Sequence, residues 1–163
     1  MGNKLSAVGG VLAGAALSGI AGMKLMQTKM AIDIKSPKNF DDTCKAIEET
    51  IPQFAEEGWG FPFEKWNFYK VFESRNLVPE GIKNIMVYFI CNAKLANKVI
   101  NENNAMMGIM PCSWAVYEKE NGEVYIAKMN IGLMSKMFSG AIKEMMLEVE
   151  ETEKRMFDKI FSD

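Results

Sequence analysis

The chain has 163 residues, enough for one domain with a hydrophobic core and too few for two once an apolar N-terminal stretch is set aside. Its 19 Lys and Arg residues and 21 Asp and Glu residues give a net charge of −2, so no excess of positive charge attracts nucleic acid. The sequence contains no histidine, which excludes histidine general bases, histidine triads and histidine metal ligands within this chain.

An uncharged stretch of 19 residues separates Lys4 from Lys24. A helix of that length spans about one bilayer core. Small residues recur in it at every fourth position, a spacing that lets two helices approach closely in lipid. They are Ser6, Gly10, Gly14, Ser18 and Gly22. The sequence predicts a transmembrane or signal-anchor helix with its linker over residues 1–28 and a single α+β domain over 29–163.

Three interpretations of this uncharged stretch remain open. It is a retained anchor that packs against a copy of itself or a partner, a signal peptide cleaved near Gly19-Ile20-Ala21, or a soluble or interfacial helix. The short basic segment before the apolar run favours export, so a retained anchor predicts a single-pass membrane protein with an extracytoplasmic domain. The expected partners are membrane lipid and a second copy or another membrane-complex subunit, with no nucleic acid.

The first strand and helix follow. Residues 29–35 alternate in polarity and predict a strand. Asn39 fits a helix N-cap, and Asp42 is placed to reach back to it. An apolar stripe then predicts a helix over 39–57, kinked or broken locally at Pro52. The stripe is Phe40, Cys44, Ile47, Ile51 and Phe54. Gly58 is a natural end for this helix.

Residues 59–72 hold seven aromatic side chains. Their spacing and the flanking sequence predict a strand over roughly 63–72. The acidic charge and the lack of clustered arginine disfavour a stacking platform for bases. The segment instead predicts packing under the helix or an aromatic-lined ligand pocket. The candidate pocket residues are Trp59, Phe61, Trp66 and Trp114.

The remaining chain predicts a loop over 76–83, a buried strand, a short helix, a hairpin and a long helix. The strand covers 85–91, the helix 93–100 after an Asn92 cap, the hairpin strands 113–119 and 123–129, and the long helix 138–161. Residues 101–104 and 130–136 are expected to form turns or loops. This order predicts an α+β fold, an antiparallel sheet with helices on one face.

The hairpin also predicts which side chains share a face. Asn121-Gly122 is a strong two-residue turn signal and determines the register of the two strands. Trp114 and Val116 are expected to share a face with Val124 and Ile126, with Ala115 and Tyr117 on the other. Both long helices are expected to cover the first of these faces.

Cys91 and Cys112 are the main candidates for chemistry because one ends a predicted strand and the other begins the next. We expect their Cα atoms within about 7 Å, the reach of a disulfide. The pair predicts thiol redox chemistry or, with Met110, a soft-metal site such as one for Cu(I), against the alternative that both thiols are only packed. If one thiol is reactive, the helix after Asn92 and the cation of Lys94 favour Cys91.

The carboxylate runs, Glu153 included, are interpreted as helix ends and solvated faces.

Four segments carry a family resemblance: FDDT at 40–43, GWGF at 58–61, FICNAKLA at 89–96 and IMPCSWAVYE at 109–118. They resemble the bacterial and archaeal family called domain of unknown function 302, over about residues 30–162. The resemblance implies a β-α-β4-α arrangement of the TATA-binding-protein-like type and aligns the family's cysteines and asparagine with Cys91, Cys112 and Asn92. Many members carry a histidine that this chain lacks. The family has no established activity, so the resemblance implies a fold and no function.

Three functions are therefore expected to compete. The first is a membrane-anchored, non-enzymatic module that self-associates or serves a membrane complex. The second is thiol redox or soft-metal handling through Cys91 and Cys112. The third is small-ligand binding by the aromatic segment 59–72. No general base or cofactor motif is present in the sequence, so we expect no enzyme activity and no cofactor.

Overall fold

A computed structural model of the chain describes residues 28–162. The predicted apolar helix and its small-residue stripe, Ser6 to Gly22, lie outside these residues. Between residues 28 and 162, no helix has both the length and the apolar character needed to cross a membrane.

The described elements form one sheet with helices packed on it. In chain order they are strand β1 (Ala31–Lys35), helix α1 (Phe40–Thr50), a first 3₁₀-helix (Ile51–Glu57), β2 (Trp59–Gly60), β3 (Trp66–Asn67), α2 (Phe68–Glu73), β4 (Ile82–Asn92), α3 (Ala93–Glu102), a second 3₁₀-helix (Asn104–Ile109), β5 (Cys112–Lys119), β6 (Val124–Met129), α4 (Ile131–Ser135) and α5 (Gly140–Phe161). The sheet has six antiparallel strands. Five follow the order β1-β6-β5-β4-β2, and the sixth, β3, pairs with β4. The predicted α+β class and antiparallel sheet are confirmed.

The hairpin between β5 and β6 has the predicted register. Val116 lies opposite Ile126, and Trp114 lies opposite Lys128. Val116 and Ile126 are fully buried, whereas Ala115 and Tyr117 are only partly buried. Gly122 has φ of 82°, the left-handed conformation that such a turn requires. The predicted division of the strands into two faces is confirmed.

Both long helices cover the same face of the sheet, as predicted. Ile47 of α1 and Met156 of α5 are fully buried in the hydrophobic core that contains Trp114 and Val116. We call this face the inner face and the opposite one the outer face. Burying an aliphatic side chain of this size contributes roughly 1.5–3 kcal/mol, so these contacts fix the helices to the sheet.

The predicted helix boundaries are confirmed where capping residues define them. The Asn39 side chain accepts a hydrogen bond from the Asp42 backbone N–H at 2.8 Å. The α-helical turns end before Pro52, and a 3₁₀-helix continues to Glu57. Gly58 follows with φ of 104°. The Asn92 side chain caps α3 by accepting from the backbone N–H groups of Lys94 and Leu95.

The predicted strand over 63–72 is wrong for most of its length. Only Trp66–Asn67 is a strand, and α2 begins directly after it. The cause is local: the Asn67 side chain accepts from the Lys70 backbone N–H and caps a helix. Phe68 and Phe72, four residues apart, then pack on one helical face with ring centroids 4.5 Å apart. The expected loop at 130–136 likewise contains the short helix α4, capped by Asn130.

Candidate functional site

A partly enclosed cavity of about 160 Å³ lies on the inner face, where β4 ends and β5 begins. Helices α3, α4 and α5 and the second 3₁₀-helix cover it. Its lining is mostly apolar and is rich in sulfur. Six methionines contribute to it: Met106, Met110, Met129, Met134, Met145 and Met146. Cys91 and Cys112 also border the cavity, together with the rings of Trp59 and Trp114.

An ion pair is buried in one wall of this cavity. The Lys128 ammonium donates to Glu153 Oε2 at 2.6 Å, and the Trp114 indole N–H donates to Glu153 Oε1 at 3.0 Å. Lys128 Nζ also donates to the Met129 carbonyl at 3.1 Å. The side chains of Lys128 and Glu153 are only 7% and 5% exposed. Charged groups this deeply buried are costly unless they are paired, so each member of this pair depends on the other.

The interpretation of Glu153 as part of a solvated face is wrong. Burial raises the pKa of its carboxyl above the usual glutamate value, although the charge and hydrogen bond of Lys128 oppose that shift. A sequence signal for this pair existed. Glu153 lies four residues after Val149 on the buried stripe of α5, and Lys128 continues the inward alternation of Val124 and Ile126. Opposite charges on two core-facing positions indicate a buried pair.

The two candidate cysteines are diagonal neighbours across β4 and β5. Cys112 lies opposite Ile90, the residue before Cys91. Because successive strand residues point to opposite faces, Cys112 shares the inner face with Ile90. Cys91 follows Ile90 near the end of β4 and borders the cavity there. Both are free thiols, as is the buried Cys44. The expected Cα separation stays a prediction.

The surroundings of these thiols do not favour thiolates. Burial raises the pKa of Cys91. Burial, with the negative charge of Glu153 adding to it, raises the pKa of Cys112 to about 11. The Lys94 ammonium, expected to assist Cys91, donates instead to the Glu56 carbonyl at 2.9 Å. A redox role for the pair stays a prediction, and these contacts count against it.

The proposed soft-metal ligands come together at this cavity. Cys91, Cys112 and Met110 all border it. No group of three or more Cys, Asp or Glu side chains with metal-site spacing occurs within residues 28–162. The sulfur atoms of the cavity lining belong to two cysteines and six methionines.

The structure divides the predicted aromatic pocket. Trp59 and Trp114 are buried and line the cavity. Phe61 lies in a second, open cleft, with its ring centroid 6.0 Å from that of Tyr88. Trp66 is 43% exposed and packs on Phe68 instead. These four residues do not line one pocket.

The second cleft contains a polar cluster around Glu48. Tyr88 donates to Glu48 Oε1 at 2.7 Å, and Lys65 donates to the same oxygen at 2.6 Å. Burial raises the pKa of Glu48, but these hydrogen bonds outweigh burial and hold it below the usual value. Burial also raises the pKa of Tyr88. The cluster joins α1, which carries Glu48, to Tyr88 of β4.

Comparisons with known proteins place the chain in a family. Residues 32–160 match the family described as "Domain of unknown function DUF302". One similar solved structure is titled "Crystal structure of uncharacterized conserved protein DUF302 from Bacillus stearothermophilus". It has a TM-score of 0.66 and 20% identity, over 80% of this chain and 98% of that chain. A comparison with curated proteins finds no match. Because the family match spans most of its length, the chain belongs to the DUF302 family.

Proposed function

We propose that this protein binds a small, largely apolar molecule in the cavity between the sheet and helices α3, α4 and α5. The observation that carries the proposal is a preformed cavity with an apolar lining and a buried polar pair in its wall. Ligand sites commonly combine a mostly apolar lining with a few placed polar groups. Its position between two layers also gives it rigid walls on the sheet side, where Trp114 and Ile90 are buried.

The cavity volume limits the size of the ligand. At about 160 Å³ it resembles an apolar cavity of about 150 Å³ that holds benzene. Methionine side chains adapt to differently shaped ligands because they are unbranched and flexible. We infer a ligand of about the size of one substituted six-membered ring.

Ala96 and Ala93 provide a matched test on one helix. Ala96 borders the cavity, whereas Ala93 is exposed three residues earlier on α3. Ala96→Phe fills part of the cavity, and we expect it to weaken toluene binding at least about tenfold, a loss of about 1.4 kcal/mol. Ala93→Phe makes the same chemical change outside the cavity and should leave the affinity unchanged. Calorimetric titration of the full chain measures both.

The proposal fails if the wild-type chain binds neither toluene nor an oxygen-bearing ring of the same size, or if both variants weaken binding equally. Native mass spectrometry of protein purified from its source adds a direct search for the natural ligand. A retained organic mass that is absent from Ala96→Phe supports the cavity as its site.

Soft-metal binding is the second candidate, favoured by the sulfur content of the lining. Thioether and thiolate sulfur select Cu(I) over metals that prefer nitrogen or oxygen. Met110 borders the cavity, whereas the nearby Met107 does not and is 55% exposed. We expect Met110→Leu and Cys112→Ser to weaken Cu(I) binding in anaerobic competition with a chelator, and Met107→Leu to have no effect. Equal effects at Met107 and Met110 would place copper elsewhere.

From the sequence we further propose that residues 5–23 form a retained membrane anchor that self-associates, with the folded domain outside the cytoplasm. We also propose that the domain has the TATA-binding-protein-like arrangement that the family resemblance implies. The support for the anchor is the uncharged length and the five small residues at every fourth position. Gly14→Ile places a branched side chain in the predicted groove, so we expect a smaller oligomer of a still-folded protein in detergent. A mature chain that begins near Gly22 would end this proposal.

A further inference from the structure

The charges that border the cavity sum to zero. Lys128 and Glu153 are the only charged residues in the described lining, and they are paired at 2.6 Å. An anionic or cationic ligand would add a charge with no partner in a largely apolar space. Such a charge is costly, because the apolar wall replaces water without replacing its interactions. A neutral ligand avoids this cost.

The pair has one N–H donor without a hydrogen-bond partner among the described residues. The Lys128 ammonium also lies 5.9 Å from the centre of the Phe157 ring. An ammonium has three N–H donors. Among the described residues, Lys128 uses two of them, on Glu153 and on the Met129 carbonyl. Each Glu153 oxygen accepts one hydrogen bond, from Lys128 or from Trp114. The remaining donor belongs to a cation, and hydrogen bonds from charged donors are the stronger ones.

We infer that the ligand is a neutral molecule with the size of one substituted ring and a hydroxyl or carbonyl oxygen that accepts a hydrogen bond from Lys128. This inference rests on the proposed function, because it names the class of molecule that the same cavity takes. Trp114 and the methionines contact the apolar body of the ligand, and Lys128 orients its single oxygen. Lys128 and Glu153 are thus specificity-determining residues of the site.

Four probes of nearly equal size test the inference on the full chain. They are toluene, benzyl alcohol, benzoate and benzylammonium, at neutral pH in calorimetric titrations. We expect benzyl alcohol to bind about tenfold or more tightly than toluene, the effect of one hydrogen bond from a charged donor. We expect benzoate and benzylammonium to bind more weakly than benzyl alcohol by at least about tenfold.

A double variant tests whether the preference for benzyl alcohol over toluene depends on the pair of Lys128 and Glu153. Lys128→Met with Glu153→Leu replaces both charges by apolar groups of similar size, a change that buried pairs often tolerate. In it the ratio of the benzyl alcohol and toluene affinities should fall to about one. The control is Lys83→Met with Glu118→Leu, which removes a pair 3.0 Å apart that does not border the cavity. The control should keep the wild-type ratio.

The outcomes separate this inference from the proposed function. If toluene binds as tightly as benzyl alcohol, or benzoate binds tightest, the cavity binds ligands but the neutral, oxygen-bearing class is wrong. If none of the probes binds, the proposed function fails and the inference fails with it. The four wild-type affinities decide the inference by themselves if the double variant does not fold.

Discussion

Glu153 holds three elements together through a single carboxylate. It receives one hydrogen bond from Trp114 on β5 and one from Lys128 on β6, and it lies on α5. The Trp114 ring also stacks on Phe157 of the same helix, with centroids 4.6 Å apart. A buried carboxylate in this position determines which part of α5 lies over the sheet. Its removal therefore affects the fold and the cavity wall together.

Removing one member of the pair should be much worse than removing both. Glu153→Ala leaves the Lys128 ammonium buried without its partner, and we expect a loss of about 3–5 kcal/mol in the free energy of unfolding. The double variant Lys128→Met with Glu153→Leu leaves no unpaired charge and should be more stable than Glu153→Ala. Urea unfolding followed by circular dichroism measures both. Equal stability of the two variants would show that the pair is not energetically coupled.

The raised pKa of Glu153 predicts how stability depends on pH. Between the ordinary glutamate value of 4.5 and the raised pKa of the folded state, the folded protein holds a proton on Glu153 that the unfolded chain has lost. Stability from this group is therefore complete below pH 4.5 and falls as the pH rises through the folded-state pKa. Glu153→Gln should remove this decline.

Glu123 is a control for that measurement, because its pKa is shifted in the opposite direction. Hydrogen bonds from Lys35, then Asn121 and Tyr125, lower its pKa to about 2. Its contribution is present above pH 4.5 and is lost as the pH falls toward 2. Glu123→Gln should thus flatten the acid side alone. A Glu153→Gln profile that changes only on the acid side would contradict the assigned direction.

At the scale of elements, Gly58 connects the first helix to the cavity wall. Its φ of 104° is left-handed, and a Cβ there would lie 2.8 Å from the Asn92 side-chain oxygen that caps α3. Gly122 also has positive φ, 82°, but a Cβ there meets nothing within 4 Å. Substitutions at the two glycines therefore distinguish the cost of backbone strain from the cost of displacing the Asn92 cap.

Alanine substitutions exploit this contrast. We expect Gly122→Ala to cost about 1–2 kcal/mol from the left-handed conformation alone. Gly58→Ala adds displacement of the Asn92 cap, worth about 1 kcal/mol more, and should also weaken toluene binding because Asn92 borders the cavity. Thermal unfolding and titration measure the two effects. A Gly58→Ala variant no less stable than Gly122→Ala would show that Asn92 moves aside at no cost.

Element boundaries were predictable where one residue type has one structural consequence. Asn39, Pro52, Gly58 and Asn92 each mark an end or a start, and the structure agrees at all four. The segment 63–72 was not predictable in the same way, because its aromatic residues suit a strand and a helix equally. There the Asn67 cap decided the outcome, and the aromatic pattern concealed it.

The candidate site was likewise only partly predictable from the sequence. The residues that border the cavity come from β2, β4, β5, β6, α3, α4, α5 and the second 3₁₀-helix. Cys91, Cys112, Met110, Trp59 and Trp114 were identified as candidates from the sequence and do border it. Periodicity shows that a position faces the core, but the partner of Glu153 depends on the way α5 crosses the sheet. Tertiary packing alone brings Lys128 to it.

At the scale of the described domain, the two faces of the sheet differ in their burial. The inner face carries α1, α5 and the cavity, whereas side chains such as Ala115 and Tyr117 on the outer face are only partly buried. An antiparallel sheet can leave one face to solvent, so this arrangement is stable. The cavity lies within the covered layer, and its walls are therefore held by the same contacts that hold the core. Ligand binding should accordingly raise the stability of the whole domain.

Carbon-13 labelling of the methionine methyl groups gives the most direct measurement of ligand binding in the cavity. Titration of the full chain with benzyl alcohol should shift the signals of Met106, Met134, Met145 and Met146, which border the cavity. Met107 and Met137 are 55% and 59% exposed, lie outside the lining and should not shift. Saturable shifts confined to the first group would establish the cavity as the binding site. Unchanged cavity methionines, or larger shifts at Met107 and Met137, would contradict it.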